Sequence, residues 1–218
     1  MEKRLKSRFS VCLAVVFALT AAAACGRKED KIDLGTIKGS VYKNSYFGFS
    51  VRLPDTWQIQ DNETRQMLMT QGRRITAGSD KEIQESLDAS ALQTVNLLTA
   101  FQYPLGSAVG YNPAFLVVAE RINNDARFSR GRDYLLASRS MLEKSLLKPS
   151  FGNNLLSEVL GGVSFDIMEV KLKTDRLTVQ QRHYATIKKG YVLVVSISYT
   201  TERELQLLKG VLQSVKFH

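Results

Sequence analysis

TVQQRHYATIKKGYVLVVSISY, residues 178–199, decides the fold. It predicts two strands joined by a tight turn at Lys188-Lys189-Gly190. Along the second strand Tyr191, Leu193, Val195, Ile197 and Tyr199 share one face, and Val192, Val194, Ser196 and Ser198 share the other. Successive side chains of a strand point to opposite sides of a sheet. This strand therefore needs cover on both faces near its start and on one face near its end. That makes it a central strand, with a partner layer on each side.

Downstream, Thr201 and Glu204 stand three apart as a capping box and open a helix. Leu205, Leu208, Leu212 and Val215 follow at helical spacing and are expected to face the sheet. Upstream, residues 155–173 predict one or two strands broken at Gly161-Gly162. There the apolar phase shifts between Val163, Phe165, Ile167 and Met168, Val170, Leu172, which predicts a bulge. A helix is expected over 133–147, with Leu135, Leu142 and Leu146 inward, and a continuous apolar strand over 115–122. Residues 79–101 read as one helix, capped by Ser79 with Glu82 and striped by Ile83, Leu87, Ala91, Val95, Leu98 and Phe101. A further strand is placed within 66–76. Phe47, Phe49, Val51 and Leu53 alternate with polar residues as a half-buried strand, and Trp57 is expected to plug the end of the core.

The N-terminus speaks to location. Lys3, Arg4, Lys6 and Arg8 precede an apolar run over 9–24. That run is shorter than the roughly 20 residues a spanning helix needs, and has the organisation of a secretory signal peptide. It ends Ala22-Ala23-Ala24-Cys25-Gly26, which resembles the lipobox of bacterial lipoprotein precursors. The resemblance implies a diacylglyceryl group on Cys25 and cleavage after Ala24. Ordinary cleavage at an Ala-x-Ala site, leaving Cys25 free, is the alternative. The other cysteine, Cys12, lies within the apolar run, so the mature domain has no disulfide. Removing residues 1–24 takes away four basic residues and Glu2, and lowers the formal net charge from +9 to +6. A modest positive charge favours anionic surfaces, such as phospholipid head groups or an acidic partner protein. Nucleic acid is not an expected partner of an exported chain with so few, scattered charges. The expected organisation is a signal peptide over 1–24, a lipidated tether over 25–39 and one domain over 40–218.

Both ends of that domain carry a resemblance. Tyr42, Phe47-Gly48-Phe49-Ser50, Pro54 and Trp57 open it. Gln181-Arg182-His183-Tyr184, Lys189-Gly190-Tyr191-Val192-Leu193 and Leu212-Gln213-Ser214-Val215-Lys216-Phe217 close it. Together they resemble the PsbP/Mog-like superfamily. The resemblance implies an α+β fold, a three-layer α/β/α sandwich around a central, mainly antiparallel sheet. It also implies a binding or accessory role rather than catalysis.

The candidate chemistry is sparse. His183 is the one histidine besides His218, and general-base work needs an oriented nucleophile and acid beside it. There is no Gly-x-Ser-x-Gly, His-Glu-x-x-His, Walker or Gly-x-Gly-x-x-Gly motif. No cofactor is expected, and two histidines without a usable cysteine predict no metal site. Two binding features remain. Arg127, Arg130 and Arg132 surround Phe128 and suit a phosphate or carboxylate on a lipid or partner. Tyr103 and Tyr111, in a glycine-containing connection, are candidates for a recognition loop. The reading is a non-enzymatic, lipid-anchored accessory protein of the cell envelope, on the outer membrane where the source has two. A small-molecule or lipid carrier, with a pocket between sheet and helices, is the alternative.

Overall fold

The structure, a computed structural model, describes residues 32–122 and 125–218. The expected signal peptide, Cys25 and the first part of the tether lie outside the described residues. In chain order the elements are β1 (Thr36–Lys38), β2 (Val41–Asn44), β3 (Phe49–Arg52), β4 (Gln58–Ile59), α1 (Asn62–Ala77), α2 (Lys81–Ala91), β5 (Thr94–Phe101) and β6 (Ala114–Arg121). There follow α3 (Gly131–Lys144), β7 (Ser150–Phe151), β8 (Leu156–Leu160), β9 (Val163–Lys173), β10 (Thr178–Lys188), β11 (Tyr191–Tyr199), α4 (Glu202–Gln213) and β12 (Lys216–Phe217).

The main sheet has the order β4-β5-β6-β11-β10-β9-β7, with β8 also paired to β9, and every pairing is antiparallel. β11 sits at its centre, between β6 and β10. The turn before it closes between Lys188 and Tyr191, and Lys189 and Gly190 take φ of 54° and 76°. Two consecutive residues of positive φ match the right-handed twist of the flanking strands, which is why this hairpin turn is short.

Leu193, Val195, Ile197 and Tyr199 of β11 pack with Phe115, Val117 and Ala119 of β6 under α4, whose Leu205, Leu208, Val211 and Leu212 are buried. A second sheet of order β1-β2-β3-β12 shares this cover, through Tyr42, Phe49 and Val51. Val192 and Val194, on the opposite face, pack with Tyr134, Leu135 and Leu142 of α3. α1 closes the same face at the other edge, where Leu68 meets Phe101, Ala114 and Leu116. Fully burying one such side chain contributes about 1.5–3 kcal/mol. The result is an α+β fold with helices on both faces of an antiparallel sheet, one cover being part helix and part sheet. Trp57 is 6% exposed at the margin of the main core, where it was expected.

Several elements differ from their expected forms. Residues 62–77 are helix α1, where a strand was expected within 66–76. Asp61 accepts a hydrogen bond from the Thr64 amide at 2.8 Å and so caps it. The expected helix over 79–101 is two elements. Its N-cap is Asp80, not Ser79, and it ends at Ala91. Val95, Leu98 and Phe101 belong to β5, which carries a bulge between Asn96 and Leu98. The bulge expected in β9 does not occur, since its register with β10 runs unbroken from Lys173↔Thr178 to Asp166↔Ala185. The apolar phase shifts because the two halves are covered on different faces. Phe165 packs on Phe217 of the small sheet, whereas Met168, Val170 and Leu172 lie in the α3 core. α3 begins at Gly131, and Leu146, expected inward, is 60% exposed beyond its end. Finally, Thr36–Lys38 pairs with β2, so the expected tether is folded there.

β5 runs past the short β4 and would leave an open edge. Open edges template unwanted pairing. Arg65 of α1, 6% exposed, covers this one by donating from Nη1 to the Leu97 carbonyl at 2.9 Å. Burial lowers the pKa of its guanidinium, the nearby Tyr42 hydroxyl and Asp61 opposing that shift.

Candidate functional site

β5 and β6 are joined by residues 102–113, and here the chain makes a surface with a fixed base and an apolar tip. Asn112 clamps the base. Its Oδ1 accepts from the Tyr103 amide at 2.9 Å, and its Nδ2 donates to the Tyr103 carbonyl at 2.8 Å. The Gln102 amide donates to the Pro113 carbonyl at 3.0 Å. At the tip, Ser107 Oγ donates to the Pro104 carbonyl at 2.7 Å and holds a turn. Tyr103 and Leu105 remain 38% and 42% exposed. Tyr111 corrects the expectation of a tyrosine pair. It is buried, and its hydroxyl is hydrogen-bonded to the Ser198 hydroxyl of β11. One tyrosine anchors the loop and the other is presented by it.

The arginine segment is compensated by carboxylates, one of them from a distant strand. Arg127 pairs with Asp125, Nε lying 3.0 and 2.9 Å from the two carboxylate oxygens. That hydrogen bonding holds Asp125 below the usual carboxylate range and raises Arg127. Arg130 lies 3.8 Å from Asp166 Oδ1. Asp166 Oδ2 accepts from the Arg132 amide at 2.9 Å, in the first turn of α3. Asp133 accepts from the Ser129 hydroxyl at 2.9 Å and from the Arg130 amide at 2.9 Å, and the Ser129 hydroxyl leads in lowering its pKa. A helix N-terminus attracts anions through its free amides, but here the protein's own carboxylates take those amides. Of the three arginines, Arg132 is the one with an exposed guanidinium and no ion pair among the described residues.

His183 lies in β10 opposite Ser196, is 1% exposed, and has Nδ1 2.8 Å from the Ser196 hydroxyl. Burial lowers its pKa to about 3, so the ring is neutral at physiological pH. A base so weak gains little by taking a proton from a hydroxyl, because catalytic efficiency is greatest near the working pH. One row along, Gln181 Nε2 donates to Ser198 Oγ at 3.4 Å. A second buried polar group escaped the sequence reading altogether. Glu120, within a strand expected to be apolar, is 1% exposed. It accepts from the Ser90 hydroxyl at 2.9 Å and from the Tyr134 hydroxyl at 2.6 Å. Burial, then the Glu120 charge, pushes the Tyr134 hydroxyl well above its usual pKa. Glu120 thereby ties α2 and α3 to β6.

A surface pocket of about 280 Å³ is lined by Gly39, Ser40, Leu53, Pro54, Asp55, Trp57 and Ile59. It lies at the strand ends around Trp57, not between the main sheet and its helices. No three His, Cys, Asp or Glu residues gather as metal ligands among the described residues. Among them, too, no helix is long and apolar enough to cross a membrane.

No family model matches the chain, and no curated protein matches it. Among solved structures, it is similar to cyanobacterial PsbP (CyanoP) from Synechocystis sp. PCC 6803, at 13% identity and a TM-score of 0.49, over 90% of this chain and 98% of that one. It is also similar to LpqN, involved in cell envelope biogenesis of Mycobacterium tuberculosis, at 12% identity and a TM-score of 0.44, over 77% of this chain and 82% of that one. A third similarity is to a protein of unknown function from Pseudomonas aeruginosa, at 15% identity and a TM-score of 0.39, over 56% of this chain and 78% of that one.

Proposed function

We propose that this chain is a non-enzymatic accessory protein of the bacterial cell envelope, anchored by lipid on Cys25 and acting by binding a protein partner. The observation that carries the reading is the β5–β6 loop, whose base is clamped by Asn112 and which exposes Tyr103 and Leu105. A loop held on a rigid scaffold presents apolar side chains at little entropic cost on binding. The buried, neutral His183 and the structural hydrogen bonds of Glu120 favour binding over catalysis. Arg132 is available at the start of α3 to an acidic group of a partner. The carrier alternative has its best support in the pocket at Trp57, whose volume of about 280 Å³ lies just below the ~300–1,000 Å³ of small-molecule sites.

A photoreactive phenylalanine analogue replacing Leu105 in living cells tests the reading. The expected result is a discrete adduct that is absent when the analogue replaces Glu85 of α2. Adding Asn112→Ala removes two hydrogen bonds of about 1 kcal/mol each and should weaken that adduct. Equal labelling from both positions would contradict the loop's role. In the same cells Cys25→Ala should leave the membrane fraction, and its retention there would contradict the anchor.

A further inference from the structure

The small sheet has one face on the main core and one face open, and the open face is basic. Its register places Thr36, Lys43, Ser50 and Lys216 in one row, and Lys38, Val41 and Arg52 in the next. Lys38, Lys43, Arg52 and Lys216 are all exposed, and none of the residues in these rows is acidic. The four make no ion pair among the described residues. Arg52 instead donates from Nη1 to Ser40 Oγ at 3.3 Å, and Ser50 Oγ lies 3.0 Å from His218 Nε2. Strands lie about 4.8 Å apart, so Lys43 and Lys216, two strands apart, stand roughly 10 Å from each other. At that spacing, just beyond the Debye length of about 8 Å at physiological salt, the charges repel one another little and each can face an anionic plane. Arg127 and Arg130, by contrast, have Asp125 and Asp166 beside them.

The described chain begins at Ile32 and enters at this sheet. Asp33 is held at its margin, its carbonyl accepting from Asn44 Nδ2 at 2.6 Å and its carboxylate from the Gly35 and Ser45 amides. The Asp33 carboxylate is thus already engaged. Seven residue-to-residue steps separate Cys25 from Ile32, which packs on the core. They reach about 25 Å at full extension. A lipid on Cys25 would hold the small sheet within that distance of the bilayer.

We propose that the open face of β1-β2-β3-β12 docks on anionic phospholipid head groups, with Lys38, Lys43, Arg52 and Lys216 as the contact. The placement rests on the Cys25 anchor, and the charge complementarity does not. The test uses the full acylated protein in vesicles of phosphatidylcholine, with and without phosphatidylglycerol, labelled by an amine-reactive reagent and read by mass spectrometry. Labelling of Lys38, Lys43 and Lys216 should fall about fivefold in the anionic vesicles, the ratio given by about 1 kcal/mol of attraction per basic residue. High salt should restore it, and Lys81 of α2 and Lys144 of α3, on the far side of the main sheet, should be unaffected. Protein that floats with both vesicles while labelling equally in both would overturn the docking and leave the anchor standing. Protein that fails to float with pure phosphatidylcholine would refute the anchor. Docking would then be read from flotation with the anionic vesicles alone. Flotation lost in K38E/K43E/K216E would support it, and no flotation of the parent protein would overturn it.

Discussion

Gly131→Ala should destabilise the protein by about 3 kcal/mol, the upper part of the range for an overpacked contact, whereas Gly210→Ala should stabilise it by about 1 kcal/mol. The two changes are chemically identical and differ in what the new methyl meets. A Cβ on Gly131 would lie 2.0 Å from the Ala185 carbonyl oxygen and 2.6 Å from its carbon, both backbone atoms of β10. Neither can move without disturbing the pairing of β10 with β9 and β11. The first turn of α3 must therefore lift off the sheet, taking with it the Arg132 amide bonded to Asp166. Gly210 is exposed in α4 with nothing within 4 Å of its Cβ position, so alanine there only lowers the entropy lost on forming the helix. Urea denaturation of the two variants beside the parent measures both. Equal effects would mean that α3 does not touch β10 as described.

Stability should also fall as the pH drops from 6.5 to 5, through His183. Its folded pKa, about 3, is depressed by burial from an ordinary 6.5. Below pH 6.5 the unfolded chain therefore takes up a proton that the folded chain refuses, and stability declines as the pH falls toward the folded pKa. The slope is about 1.4 kcal/mol per pH unit, so the loss by pH 5 is about 2 kcal/mol. This window lies above the titration of ordinary carboxylates. His183→Asn keeps a polar partner for Ser196, lowers stability at pH 7.5 and should abolish the decline between 6.5 and 5. A variant that keeps the full slope would assign it to another group.

Both predictions turn on contacts that separate the legible from the illegible parts of this chain. The β10–β11 hairpin, β6 and α4 were readable because their determinants are local: strand alternation, the Lys189-Gly190 turn, and the Thr201–Glu204 box, which forms as expected. The bounds of α2 and β5 were not. Ile83, Leu87 and Ala91 continue at a spacing of four into Val95, and the bulge in β5 removes the strict alternation that marks a strand. α1 was missed because its face toward the protein is weakly apolar, with Arg65, Gly72 and Thr76 among its buried residues. The doubled apolar phase of β9 needed a second sheet to explain it, and that sheet joins residues from both ends of the chain. Long-range pairing likewise hid one carboxylate at the arginine segment. Arg127 meets Asp125 nearby, but Asp166 comes from β9, beyond the whole of α3. Of the candidate recognition loop, the segment and its exposed Tyr103 were legible in the sequence. Tyr111 was misassigned because its partner Ser198 lies on a distant strand. The basic face was only partly legible for the same reason, since Lys216 joins Lys38, Lys43 and Arg52 through the long-range pairing of β12 with β3.

Amide hydrogen exchange of the native protein tests most directly whether β11 is the covered centre from which every placement above follows. Covered strands open only with global unfolding, whereas edges open locally. The amides of Val192, Val194 and Val195 should exchange at the limit set by global stability, while those of Ser157 and Val159 in the exposed strand β8 exchange orders of magnitude faster. Exchange of the β11 amides as rapid as that of β8 would show that the strand lies at a margin, and the architecture built around it would fail.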